Sequence, residues 1–421
     1  MDGFLKHAIL LFLAMRLGDM VNVAAGMWFV PKFVKPEDIG AVLPLASFAT
    51  FLSLPMFAFA MTVMKETAWL AANRERGKVK SLLSGVFVAT AVIMIVVIAV
   101  SAVVMPHFLD AIGVSEAGTG LLVIVAAFFG CVAPIYTDAL QSLRRFGALA
   151  TIEAVGSVVR FAVMLAVMPF KALAGYFAGQ AALPVFRMLG SVFALRSELT
   201  VPSEPFWNRV TFRRVATAFV AILAYQAIPL ASSLVEQTVL RTSFPARDSA
   251  GFYMVSRFAD FLYCLTFPLL LVMFPYTASS AQKGTPTAPY VVRCSAVTLV
   301  AASLAAIVYF FFGVRLLSLM PNGAEYIDYA VYMPWLVLSN ALTSCQVFYA
   351  NAEVSAGRFG FLWWLAPLHL VYGAALQMHR AIGVELTMPG LIACFLGVSL
   401  IRFVFSAFAV RKDKISGSCG F

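Results

Sequence analysis

The chain has 421 residues, 62% of them apolar and only 12% charged, with a net charge of +10 and a mean hydropathy of +0.91. No soluble domain can keep so much apolar surface from water, so the chain reads as an all-α, polytopic membrane protein. Its basic balance points to membrane topology and anionic lipid, not nucleic acid, and its six cysteines show neither a disulfide framework nor a metal-ligand spacing.

Apolar stretches predict twelve spans, at about 8–31, 39–64, 81–105, 119–140, 147–168, 172–194, 213–241, 248–275, 291–319, 326–350, 360–378 and 387–409. Each is close to the roughly 20 residues a helix needs to cross a bilayer. Connectors are short, and the longest, 195–212, leaves no room for a soluble catalytic domain. No phosphate loop, zinc motif or nucleophile–base spacing occurs, so the expectation is a non-enzyme with no cofactor and no metal. A cleaved leader is not expected, because Arg16, Asp19 and Asn22 interrupt the first apolar run.

Polar residues inside the spans carry the functional signal, since a charge in hydrocarbon costs roughly 2.5–3.5 kcal/mol on insertion scales. Span one places Arg16, Asp19, Asn22 and Gly26 on one face, with Arg16 and Asp19 at i,i+3. Pro36-Glu37-Asp38 opens span two, where proline and acids suit a first helical turn. The basic segment Lys65–Leu82 reads as a short helix on the anionic leaflet. Span five carries Glu153 and Arg160 with Gly156 and Ser157 between them, and span six aligns Gln180, Pro184, Arg187 and Ser191.

The 195–212 segment, with Pro202, Pro205 and clustered charges, reads as a linker between two lobes, 1–194 and 213–410, ahead of a tail at 411–421. Span seven then aligns Gln226, Ser233 and Gln237, with Glu236 beside them, and span eight aligns Tyr253, Arg257 and Asp260. Spans three, nine and twelve are more uniformly apolar and are expected to face lipid. Arg315 and Arg402, near span ends, are expected to snorkel, and His369 to be a packed histidine. Arg160 and Arg187 have two readings, a ligand contact or an ion pair with an acid on a neighbouring helix. The i,i+3 pairs are open in the same way between ligand contact and structural clamp.

Two further patterns set the topology. With both termini in the cytoplasm, 18 Lys and Arg lie on that side against 6 opposite, as the positive-inside rule requires. The chain also repeats itself. Ser47–Leu52 returns as Arg257–Leu262 and Asp38 as Asp248, both at an offset of 210, and Arg145-Phe146-Gly147 returns as Arg358-Phe359-Gly360 at 213. A six-span repeat enters the membrane from the same side, which makes the two lobes parallel.

Val34-Lys35-Pro36-Glu37-Asp38-Ile39-Gly40 resembles the L-x-P-E-x-[FY]-G turn of polysaccharide flippases, with Ile39 where an aromatic is usual. Arg74-Glu75-Arg76-Gly77-Lys78 is similar to the basic loop after their second span, and Gln141–Leu149 to their Q-G-x-x-R-F-x-x-L stretch. The chain therefore resembles the oligosaccharide-lipid and polysaccharide (O-antigen) flippase branch of the MOP exporter superfamily. The resemblance implies two six-helix lobes in a V around a central cavity. It also implies alternating-access translocation of a polyprenyl-diphosphate-linked oligosaccharide across the bacterial inner membrane, for surface polysaccharide or lipopolysaccharide. In that setting Arg16 and Arg257 contact the diphosphate head, with Arg160 and Arg187 as further candidates. Gln226, Ser233, Gln237, Asn22 and Tyr253 face sugar, and Asp19, Glu236 or Asp260 holds a coupling proton or sodium ion. The expected partners are the lipid-linked substrate and membrane lipids, with the protein acting as a monomer. The alternatives are a proton- or sodium-coupled multidrug exporter of the same superfamily and an integral-membrane glycosyltransferase or polymerase.

Overall fold

The computed structural model describes residues 16, 18, 20–21, 23–54, 59, 63, 66–67, 70, 75–115, 117–143, 145–282, 285–356, 358–379, 381, 383 and 385–416. Contacts divide the chain into two compact units, Met1–Thr242 and Ser243–Phe421. Among the described residues there is no strand.

In the first unit, helix one, described at residues 16, 18, 20–21 and 23–33, includes a π-helical stretch, Ala25–Phe29, closed by the Val30 N–H on the Ala25 carbonyl. It runs into the turn Val30–Phe33, where Pro31 has no N–H to offer and so loosens the preceding ladder. The expected proline-led start appears at Pro36–Ile39, with Glu37 and Asp38 in its first turn. Then follow α1 (Val42–Leu52), α2 (Arg76–Ala111), α3 (Ala117–Ser142), α4 (Phe146–Val167), α5 (Ala172–Ala194) and α6 (Arg209–Ser243). The second unit holds α7 (Ala246–Gln282), α8 (Ala288–Ser318), α9 (Met333–Ser355), α10 (Leu362–Met378) and α11 (Met388–Ser416). Seven helices among the described residues are long and apolar enough to cross a membrane, so this is a multi-pass membrane protein.

Span six coincides with α5, and most other spans lie within a few residues of their helices. Span ten starts late. After Asn322, which adopts the left-handed φ of 57°, residues Gly323–Tyr332 wind as a 3-10 helix before α9 begins. The Tyr329 hydroxyl on this connector donates to Asp248 Oδ1 at 2.5 Å, tying it to the first turn of α7. Burial, and behind it the Asp248 carboxylate, push the Tyr329 phenol above its ordinary range. The interfacial reading of Lys65–Leu82 falls largely outside the described residues, since only 66–67, 70 and 75–82 are seen.

The internal repeat is carried by the backbone. Asp38 and Ile39 N–H donate to the Lys35 carbonyl, and Asp248 and Ser249 N–H donate to that of Pro245. Glu75 N–H reaches Leu70 O at 3.0 Å, and Thr285 N–H reaches Ser280 O at 2.9 Å. Each of these pairs is offset by 210 residues. Helix one ends at Phe33 and α6 at Ser243, the same interval apart. By sequence, then, α6 heads the second copy, yet its packing ties it to the first unit. Phe219 stacks on Phe59 with centroids 4.3 Å apart, and Arg241 Nε donates to the Ile112 carbonyl at 2.8 Å, beyond the C-terminus of α2.

The linker before α6 is strapped along the first turns of α2. Trp207 Nε1 donates to the Ser81 carbonyl at 3.0 Å, Glu204 N–H to that of Gly77 at 3.2 Å, and Lys80 Nζ to that of Val201 at 3.1 Å. The indole lies so close to Gly85 that a Cβ there would overlap it. Phe206 completes this corner by joining a buried cluster with Leu82, Leu83, Ile135, Leu140 and Leu195.

Candidate substrate site

The α4–α5 hairpin brings the polar faces of spans five and six together. Its seam is built on small residues, as lipid-embedded helices require for close approach. A Cβ on Gly175 would lie 2.5 Å from the Met168 nitrogen, and one on Gly179 would lie 3.1 Å from the Arg160 carbonyl oxygen. In this antiparallel register Glu153 faces Arg187. Arg187 donates to Glu153 Oε2 through Nη2 at 2.5 Å and through Nε at 3.1 Å. The ion-pair reading therefore holds for Arg187. The pair is only partly covered, with the Arg187 side chain 37% exposed and that of Glu153 14% exposed.

Arg160 lies two turns along α4 from Glu153 and is only 2% exposed. Its Nε and Nη2 are buried and meet no hydrogen-bond partner among the described residues. Tyr176 and Arg187 lie within electrostatic reach of it. The two arginines of one hairpin thus behave differently, one held by a carboxylate and one with none among the described residues.

Helix one lies against α4. A Cβ on Gly18 would sit 2.9 Å from Ser157 Oγ, and Phe29 meets Phe161 edge-on at 5.3 Å. Arg16, two residues before Gly18, is half-buried. Asp19 and Asn22 lie outside the described residues. On α6, Gln226, Ser233, Glu236 and Gln237 are all half-buried, and Gln237 Oε1 is buried with no donor among the described residues.

In the second unit the span-eight stripe forms as its spacing suggests. Arg257 Nη2 meets Asp260 Oδ2 at 2.9 Å, and the guanidinium stands 4.9 Å from the ring centre of the fully buried Tyr253. Asn340 on α9 hydrogen-bonds the Asp260 side chain.

A second polar cluster was not legible as such. Arg402, expected to snorkel, is buried at 7% exposure. Its Nη2 bonds His369 Nδ1 at 3.0 Å, and its guanidinium lies over the Tyr372 ring at 5.7 Å. Packing of α11 onto α9 turns this arginine inward, where the His369 and Tyr372 side chains of α10 reach it. The same helix puts Ser399 against Ser339 and Thr343 of α9, at 3.0 Å each. Span twelve is therefore not a plain lipid-facing helix. Its signal in the sequence was the i, i+3, i+7 stripe Ser399, Arg402, Ser406.

No family model matches this chain, and no curated protein does. Solved structures do. An inward-facing multidrug resistance MATE family transporter of the MOP superfamily superposes with a TM-score of 0.65 at 12% identity, covering 95% of this chain and 96% of that one. The lipid II flippase MurJ, in an inward closed conformation, gives 0.68 at 14% identity, covering 98% and 90%. A MOP superfamily transporter from Pyrococcus furiosus, described as having a binding pocket of reverse polarity, gives 0.66 at 11% identity, covering 99% and 96%. The chain therefore has the all-helical fold of the MOP superfamily transporters.

Proposed function

We propose that this protein is a flippase that moves a polyprenyl-diphosphate-linked oligosaccharide across the bacterial inner membrane by alternating access, for surface polysaccharide synthesis. The observation that carries the reading is that the acids on the polar faces do not outnumber the arginines. Arg16, Arg160, Arg187, Arg257 and Arg402 stand against Asp138, Glu153, Glu236, Asp260 and, in the sequence, Asp19. Guanidinium suits a diphosphate, which it binds through paired, charge-assisted hydrogen bonds. A nearly balanced set does not suit organic cations, so the multidrug reading lacks the net acidity it needs. The fold is shared with a lipid flippase and with multidrug transporters alike, so the residues and not the fold carry this choice.

In this reading the six-span halves, 1–194 and 213–410, are joined by 195–212, and both termini and the 411–421 tail are cytoplasmic. Arg16 and Arg257 contact the head group, with Arg160 and Arg187 beside them in role. Gln226, Ser233, Gln237, Asn22 and Tyr253 meet sugar, and Asp19, Glu236 or Asp260 takes the coupling proton or sodium ion. The protein acts as a monomer and carries out no bond chemistry. The test is complementation of a strain whose surface glycan depends on this gene. Arg16→Ala and Arg257→Ala should each abolish the glycan at normal protein levels. Normal glycan from both variants refutes the assignment.

A further inference from the structure

The α4–α5 hairpin has two guanidinium groups and one carboxylate. Arg187 is satisfied by Glu153, while Arg160 is buried with two nitrogens lacking any hydrogen-bond partner among the described residues. A buried cation without an anion is strongly disfavoured in a medium of low polarity, so the hairpin as it stands is one anion short. We infer that Arg160 and Arg187 form an oxyanion site for a phosphate or diphosphate group, in which Glu153 is a resident ligand that the incoming anion displaces. The inference rests on the flippase reading for its cargo but names a different event, competition between an internal carboxylate and the ligand.

The geometry gives an order of approach. Arg187 is the accessible member, with 37% of its side chain exposed, and Arg160 is the covered one, at 2%. An oxyanion meets Arg187 first, loosens it from Glu153, and places its second charge toward Arg160, two turns along the same hairpin. Because Glu153 is bonded through a single oxygen, Oε2, it occupies one fork of Arg187 without completing a two-oxygen clamp. A phosphate oxygen pair makes that clamp better. Tyr176 lies beside Arg160 and is 8% exposed, so it closes the covered end.

Binding of inorganic diphosphate and of a short polyprenyl diphosphate to the purified full-length protein in detergent tests this. Glu153→Gln keeps the shape and removes the competing charge, and it should tighten both probes by about tenfold, the size of one lost charge contact. Arg187→Gln and Arg160→Gln should each weaken both by about tenfold or more. Arg160 makes no ion pair among the described residues, so its variant is expected to fold even if Glu153→Gln does not. A stronger fit for polyprenyl diphosphate than for inorganic diphosphate assigns the site to a lipid head group. Equal affinity assigns it to the free oxyanion, and both results support the site. Unchanged affinities in Glu153→Gln, or wild-type binding in Arg160→Gln, overturn it. If these binding shifts appear while the Arg16 and Arg257 variants still make glycan, the flippase reading fails and the anion site stands. If glycan is lost but binding ignores Glu153, the reverse holds.

Discussion

Arg145 and Arg358 occupy the same turn in the two halves of the chain. The backbone N–H of each donates at 2.9 Å to the carbonyl five residues earlier, Leu140 in one and Glu353 in the other. Each guanidinium then holds a carboxylate, Arg145 with Glu198 at 2.8 Å and Arg358 with Glu353 at 2.5 Å. The turn is conserved between the copies, while the source of the acid is not. In the first copy it comes from the segment after α5, and in the second from the end of α9.

Arg145→Ala and Arg358→Ala should each destabilise the protein. The carboxylates are well covered, at 5% and 10% side-chain exposure, while the arginines are 33% and 45% exposed. Solvent screening on the arginine side brings the expected cost down to about 1–2 kcal/mol each. Thermal melting of the purified variants measures this, and melting points equal to wild type would show that the clamps are idle.

The strap predicts a steric effect at Gly85. A leucine there overlaps the Trp207 indole, so the linker must lift from α2. The expected loss is about 1–3 kcal/mol, with new proteolytic cleavage between 200 and 208. Protection of that segment in Gly85→Leu would mean that the strap is not held by this contact.

His369 and Arg402 should be strongly coupled. His369→Leu alone removes the acceptor from a buried guanidinium and should cost about 1–3 kcal/mol. Adding Arg402→Met replaces the pair by apolar volume and should recover much of that loss, as buried polar pairs often permit. A double-mutant cycle measures the coupling. Simple additivity would rule it out.

Tyr329→Phe removes the bond to Asp248 and should cost about 1–2 kcal/mol, as for a hydrogen bond to a charged group. The folded state raises the phenol above its unfolded value of about 10 and so favours the neutral form. That contribution is fully present below about pH 10 and is lost as pH rises through the folded value. Wild type should therefore lose stability at high pH more steeply than Tyr329→Phe. Parallel pH curves would contradict the assignment.

Much of this was legible beforehand. Runs of apolar residues give the helices, because about 20 of them match a bilayer and few other structures can use them. The Arg257–Asp260 pair follows from helical spacing alone. The repeat was visible in short matches, and several backbone bonds recur at the same offset of 210. The buried place of Arg402 was not, because position near a span end says nothing about which face of the helix another helix covers.

The amino-acid order by itself determined which segments are helices, that Pro36 leads the turn before span two, and which residues share a stripe. These are local matters of backbone geometry and period. Tertiary structure alone decided that Glu153 meets Arg187, that His369 meets Arg402, that the linker lies along α2, and that α6 packs with the first unit. Inside a membrane, lipid and a neighbouring helix are equally apolar. Hydropathy therefore cannot choose a helix's partners, and the choice falls to small-residue seams and polar pairs that come together only once the helices are packed.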